Sequence, residues 1–300
     1  MRFLFILLLI TTVNTGAYAQ AFLKAEYIGS SSYEDIDNNK TGGKGDAKVR
    51  SGGIQIPFYM KMNENNRPTT WGMAIGGSYT SFNNKNIPAD LCPSEILNAQ
   101  ISLFHMRPVS KNWSLLASLG AGAYTAHADI SRIKMKNILA HGGAIFIWHL
   151  KDNLDIGGGL AVNNSFGYPM AFPSLYLDWR LGGRYEVKVS MMNAVEISAG
   201  MRVHENIKLG IIGEMNGSMA LEEVNGEDMM FTHQYMVAGF RPEFTLGKSF
   251  SLSLTAGVSA IRPAYYTKRT LKSFFKAMDR EHDPEFKVAP YVSLALAYKF

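Results

Sequence analysis

The last fifteen residues sort into two faces with a period of two. Phe286, Val288, Pro290, Val292, Leu294, Leu296, Tyr298 and Phe300 fall on one side. Lys287, Ala289, Tyr291, Ser293, Ala295, Ala297 and Lys299 fall on the other. A helix cannot separate these residues so cleanly; a strand does so automatically, because successive side chains point to opposite faces. The pattern recurs along the chain. Ile207, Leu209 and Ile211 alternate with Lys208, Gly210 and Ile212. Val195, Ile197, Ala199 and Met201 alternate with Glu196, Ser198, Gly200 and Arg202. Leu175, Leu177 and Trp179 oppose Ser174, Tyr176 and Asp178; Trp71, Met73, Ile75 and Tyr79 oppose Gly72, Gly76, Ser78 and Thr80; Ile54, Ile56, Phe58 and Met60 oppose Gln55, Tyr59 and Lys61. A chain patterned this way has to be all-β.

The connections predict how the strands are joined. One set is short and polar: 63–68, 108–112, 151–153, 182–184, 204–206 and 247–249. The alternate set is longer: 30–45, 83–95, 126–136, 163–171, 218–229 and 263–285. Short turns at one end and long loops at the other are the layout of a transmembrane barrel, with the short turns and both termini in the periplasm. The expected architecture is a closed antiparallel β-barrel of about 14 strands, with 12 as the alternative. The choice turns on residues 185–203, which read as one very long strand or as two joined by a turn at Met192-Asn193-Ala194. In the second case Met191 and Val195 face each other. Pro57, Pro242 and Pro290 fall inside predicted strands, where each removes a ladder donor, so bulges or strand ends are expected there. Leu271–Met278 has the pattern of a short helix within the last long loop, either folded inward or capping the rim.

The start of the chain predicts its compartment. Arg2, the apolar run Phe3 to Ile10 and the small-x-small exit Ala17-Tyr18-Ala19 read as a secretory signal peptide, residues 1–19, ahead of one domain, 20–300. Cys92 is the only cysteine, so no disulfide forms within the chain and no multi-thiolate zinc site is available. The net charge of +5 is too mild and too scattered to point to nucleic acid. Near-neutral mean hydropathy is compatible with a membrane barrel, whose apolar residues occupy alternate positions.

The predicted surroundings of the apolar face are lipid. No helical layer covers the strands, and a sheet spanning hydrocarbon has to close so that every backbone group is paired. Trp71, Trp113, Trp179, Tyr185, Tyr298 and Phe300 fall near turn ends on that face, as in an aromatic girdle. The ending VSLALAYKF, with Leu296, Tyr298 and Phe300 on one face, resembles the C-terminal signal by which the barrel assembly machinery recognises outer-membrane barrels. The AYAQ junction and the glycine-and-aromatic hairpins make the chain similar to the uncharacterised outer-membrane β-barrel proteins of Bacteroidota. That resemblance implies a fold and a location in a Gram-negative outer membrane. It brings no activity and no site residues.

The chemistry-bearing residues are sparse. The charged residues expected to face the lumen are Lys61, Asp155, Asp178, Arg180, Glu186, Lys188, Glu196, Arg202, Lys208, Arg241 and Glu243, joined by Lys24, Glu26 and Glu214. They would form a polar constriction, or salt bridges that hold the barrel's shape. His141 and His149, on one strand face, stand too far apart to share a metal. Ser218 and His233 flank a predicted loop without a spacing that marks a catalytic pair. Asp35, Asp37 and Asn39 lack the glycine and glutamate of a calcium loop, for which Lys40 and Asp46 stand instead. Neither a cofactor nor a metal is expected, and the chain reads as no enzyme. A passive pore or small-solute channel of unidentified solute is the first expectation. A structural or surface-binding barrel with a blocked lumen is the second, and a barrel lipid hydrolase or protease the third.

Overall fold

The computed structural model describes residues 20–65, 67–191 and 195–299. The predicted leader, the turn at 192–194 and Phe300 lie outside these described residues. The strand segments are β1 (Gln20–Glu34), β2 (Lys40–Met62), β3 (Pro68–Lys85), β4 (Glu95–Pro108), β5 (Trp113–Thr125), β6 (Ile138–Lys151), β7 (Leu154–Asn163) and β8 (Met170–Leu181). They continue as β9 (Tyr185–Met191), β10 (Val195–His204), β11 (Ile207–Val224), β12 (Glu227–Leu246), β13 (Phe250–Ala260), β14 (Arg262–Lys268), β15 (Glu285–Phe286) and β16 (Ala289–Lys299), with a helix α1 at Leu271–Met278. β13 and β14 are one wall strand kinked at Ile261, where φ is +50°. β15 and β16 are another, interrupted at Lys287 and Val288. The wall therefore has fourteen strands. Each pairs antiparallel with its chain neighbours, and β1 pairs with β16 from Gln20↔Lys299 to Ile28↔Tyr291 to close the barrel. Met191 faces Val195, so 185–203 is two strands.

Contacts between strands that are not neighbours in the wall tell the inside from the outside. Lys24 on β1 meets Glu214 on β11 at 2.7 Å, across the lumen. The opposite face carries Leu23, Ile75, Leu103, Leu119, Phe146, Leu160, Ile197, Ile211 and Leu294, all exposed. A band of bare aliphatic side chains around a closed wall is stable in hydrocarbon and costly in water. The chain is an outer-membrane-type transmembrane β-barrel. At its short-turn end the outer face carries aromatic pairs: Trp113 stacked on Trp148 with centroids 5.9 Å apart, and Phe250 tilted against Tyr298 at 4.5 Å.

The prolines sit where the ladder breaks. Pro57 adjoins a bulge between Pro57 and Tyr59 on β2. Pro242 falls in a gap of the β12–β13 register, between Phe240 and Glu243. Pro290 lies at the start of β16. Two of these breaks reverse the alternation. Phe58 is the extra residue of the β2 bulge, so Lys61 pairs with Thr69 on the face of Trp71. Lys61 is thus outside, near the short-turn end, and not in the lumen. The interruption after β15 turns Phe286 inward, fully buried against Tyr33 at 5.0 Å, whereas Val292, Leu294 and Leu296 face out.

Two expected loops are strands. The stretch 30–45 is the tip of a β1–β2 hairpin closed at residues 35–39, where the Asp35 carboxylate accepts the backbone N–H groups of Asp37 (3.0 Å) and Asn39 (2.9 Å). The stretch 218–229 is the tip of the β11–β12 hairpin, closed by Asn225-Gly226 with φ of +53° and +81°. An Asn-Gly pair with both φ positive makes the tight turn that suits the strands' twist.

Candidate functional site

The β11–β12 hairpin organises the interior. β11 pairs with β10 only as far as Met215↔Val195, because β9 and β10 are short. Beyond that point residues 216–224 keep only β12 as a strand partner, so the β11 limb leaves the wall while residues 229–233 of β12 stay paired with β14. Ala220 and Leu221 point to opposite faces, yet both are fully buried. Such burial on two faces requires that the hairpin tip lie inside the barrel.

Each face has its own neighbours. Ala220, Phe231 and Tyr235 pack with Ile28, Tyr33, Val49, Phe82, Phe286 and Tyr291 into an apolar core inside the β1–β3 and β14–β16 side of the lumen. The interior is therefore not wet throughout, as the polar alternation had predicted. Leu221, with Met219 and Met230, meets Tyr124 and Leu139 on the β5–β6 side. The free edge of β11 would leave backbone groups unpaired, which is costly when buried. Two side-chain amides fill the place of a strand. Asn98 on β4 donates Nδ2 to the Met219 carbonyl (2.6 Å) and accepts the Met219 N–H (3.3 Å). Asn137 donates Nδ2 to the Leu221 carbonyl.

On this second side the lumen is open. A cavity of about 280 Å³ runs from Phe22, near the start of β1, to Phe274 on α1. Phe22, Gly76 and Gln100 of this lining belong to one ladder row, in which Phe22, Gly53, Gly76, Gln100 and Gly122 are successive partners across β1 to β5. The lining mixes Ser78, Asn98, Gln100, Tyr124, Asn163, Thr232 and Gln234 with Phe166, Phe172, Met219 and Met230. A second cavity of about 160 Å³ shares Met230, Thr232, Gln234 and Phe274 with the first and continues between β12, β14 and α1 to Arg280, Glu281 and Asp283. Helix α1 occupies the predicted residues. Thr270 caps it by accepting the Ser273 N–H (3.2 Å), and Phe274 packs edge-on against Phe166 at 5.3 Å. Just before it, Arg269 fixes the mouth by donating to the carbonyls of Ser165 (2.9 Å), Lys136 (3.0 Å) and Asn164 (3.1 Å).

The predicted lumen charges form a belt of pairs lower in the barrel. Asp178 holds Arg180 (2.6 Å), Glu186 takes both Arg202 (2.5 Å) and Lys208 (3.0 Å), and Lys188 meets Glu196 (3.1 Å). Glu214 is buried between Lys24 and Arg241 (3.0 Å). His149 bridges Ser114 (2.8 Å) and Asp155 (2.7 Å). Glu243 faces Lys208 across the β11–β12 ladder. His141 is buried apart from His149. Ser218 and His233 do not flank a loop. They are direct cross-strand partners within the hairpin, with Ser218 Oγ near Thr80 Oγ1 (3.4 Å) and the His233 ring buried edge-on against Phe82 at 4.9 Å. Both His233 nitrogens lack a partner among the described residues, so no carboxylate orients the ring. Cys92, at the long-loop end, is buried, and burial pushes its thiol up to about 12.

The sequence reading missed Asn98, Asn137 and Gln234, which carry no charge and no motif. The hairpin itself had one local signal, Asn225-Gly226 between alternating runs.

A family model described as "Domain of unknown function (DUF6268)" matches residues 15–299. The chain belongs to this family. No curated protein matches the sequence. The DUF6268 barrel is similar to an outer membrane channel from Pseudomonas putida, at 9% identity over 96% of this chain and 100% of that one, with a TM-score of 0.46. It is also similar to the translocator domain of the autotransporter NalP from Neisseria meningitidis (13% identity, 96% and 90% covered, TM-score 0.36). A third likeness is to the outer membrane protease OmpT from Escherichia coli (8% identity, 97% and 99% covered, TM-score 0.28). At such scores these likenesses carry no functional argument; the DUF6268 barrel's own lumen has to supply it.

Proposed function

We propose that this barrel is a passive channel for small solutes in the outer membrane of a Gram-negative bacterium, without enzymatic activity. The carrying observation is the cavity beside the inward hairpin, whose lining extends from Phe22 near the start of β1 to the mouth helix at Phe274. On this reading the charged belt sets the barrel's shape, because its carboxylates are already matched by cations and offer little to a passing ion. The leader 1–19 exports the chain, and the bacteroidete resemblance of its junction points to the host phylum. Leu296, Tyr298 and Phe300 serve the assembly machinery. The short turns and both termini face the periplasm, leaving α1 and the hairpin tip at the external end.

The test is purified barrel in planar bilayers, with efflux of a small neutral solute from vesicles in parallel. Small, steady conductance steps are expected, and Phe274→Ala should enlarge them. The packed half of the lumen favours a second reading, a blocked barrel with a structural or surface-binding role. Conductance and efflux no greater than in empty bilayers would select it over the channel.

A further inference from the structure

The solute class follows from what the cavity wall lacks. None of the described residues lining the larger cavity is charged, although charges crowd the lumen nearby. The wall offers aromatic rings and thioethers at Phe166, Phe172, Met219 and Met230. Its hydrogen-bonding groups, among them Ser78, Asn98, Gln100, Thr232 and Gln234, are all neutral. Gln234 lies on the wall shared by the two cavities, beside Phe274.

We infer that the cavity binds an uncharged solute that offers both apolar surface and hydrogen-bonding groups, and that its uncharged wall, with Phe274 at the mouth, determines this specificity. The inference rests on the channel reading and names its solute class. A charged solute would exchange bulk hydration for rings, thioethers and amides that cannot neutralise it, whereas a neutral one meets apolar surface and neutral hydrogen-bonding groups.

Two probes with one skeleton isolate charge. N-phenyl-1-naphthylamine is neutral and apolar with a single N–H, and 8-anilinonaphthalene-1-sulfonate adds an anion. Titration into purified barrel, against matched empty micelles, should show saturable binding of the neutral probe and roughly tenfold or more weaker binding of the sulfonate. Gly76→Phe should abolish binding: a Cβ at Gly76 has no neighbour closer than 3.5 Å, so the wall accepts it and the ring fills the cavity. Heat-modified gel mobility checks that each variant is folded. Equal binding of both probes, or neutral binding indifferent to Gly76→Phe in a folded barrel, overturns the inference. Conductance that survives such a failure leaves the channel standing. Saturable neutral binding in a barrel that neither conducts nor releases neutral solute from vesicles removes the channel but keeps the site.

Discussion

Glu214 shows how a single side chain can hold a barrel's cross-section. Its carboxylate takes Lys24 from across the lumen at 2.7 Å and Arg241 from the adjoining strand at 3.0 Å, in surroundings that exclude most water. Removing one member of a buried pair leaves an uncompensated charge, which typically costs several kcal/mol. Glu214→Gln should destabilise the barrel by about 3 kcal/mol, seen as a lower midpoint in heat-modified gel mobility. Glu227→Gln should change it by less than about 1 kcal/mol, since Glu227 and Lys268 pair at 2.5 Å with both side chains about half exposed. Equal effects would mean that Glu214 is not a cross-lumen tie. Lys61 lies on the side opposite to the one alternation assigned it, because one extra residue, Phe58, reverses every later side chain on its strand.

The β11–β12 hairpin is the element that sets the interior. Its β11 limb leaves the wall because β9 and β10 end early, and that limb's free edge stays inside because the amides of Asn98 and Asn137 replace the missing strand. Asn98→Ala removes both partners of Met219. The cost should be about 1–3 kcal/mol, with faster hydrogen exchange at the Met219 amide and unchanged protection at Gly210, which lies in the wall. Unchanged protection at Met219 would show that Asn98 is not the edge's partner. Alternation made these stretches legible as strands only in part. Inside the barrel both faces of the hairpin are covered, so the polar and apolar residues of 216–233 do not separate cleanly, and the tip read as a loop. The turn was legible in principle, because Asn225-Gly226 has the chemistry of a two-residue hairpin.

For the whole molecule, the hairpin turns a fourteen-strand barrel into one with a packed half and an open half. Excising residues 218–233 and rejoining Gly217 to its partner Gln234 by a tight Asn-Gly turn should remove that partition and raise single-channel conductance severalfold. An excised, folded barrel that conducts like the intact chain would mean that the hairpin does not limit the bore. The sequence alone determined that this is a closed antiparallel barrel with its greasy residues outward. Alternation acts locally, residue by residue, and a sheet in hydrocarbon has no stable form except closure. Which lumen residues meet, and that some are apolar, was decided only by the tertiary structure. Lys24 and Glu214 are 190 positions apart, Thr80 and Ser218 are 138 apart, and Asn98 and Met219 are 121 apart. No local pattern encodes such pairs, because they depend on how far each strand rises and on where one hairpin turns inward.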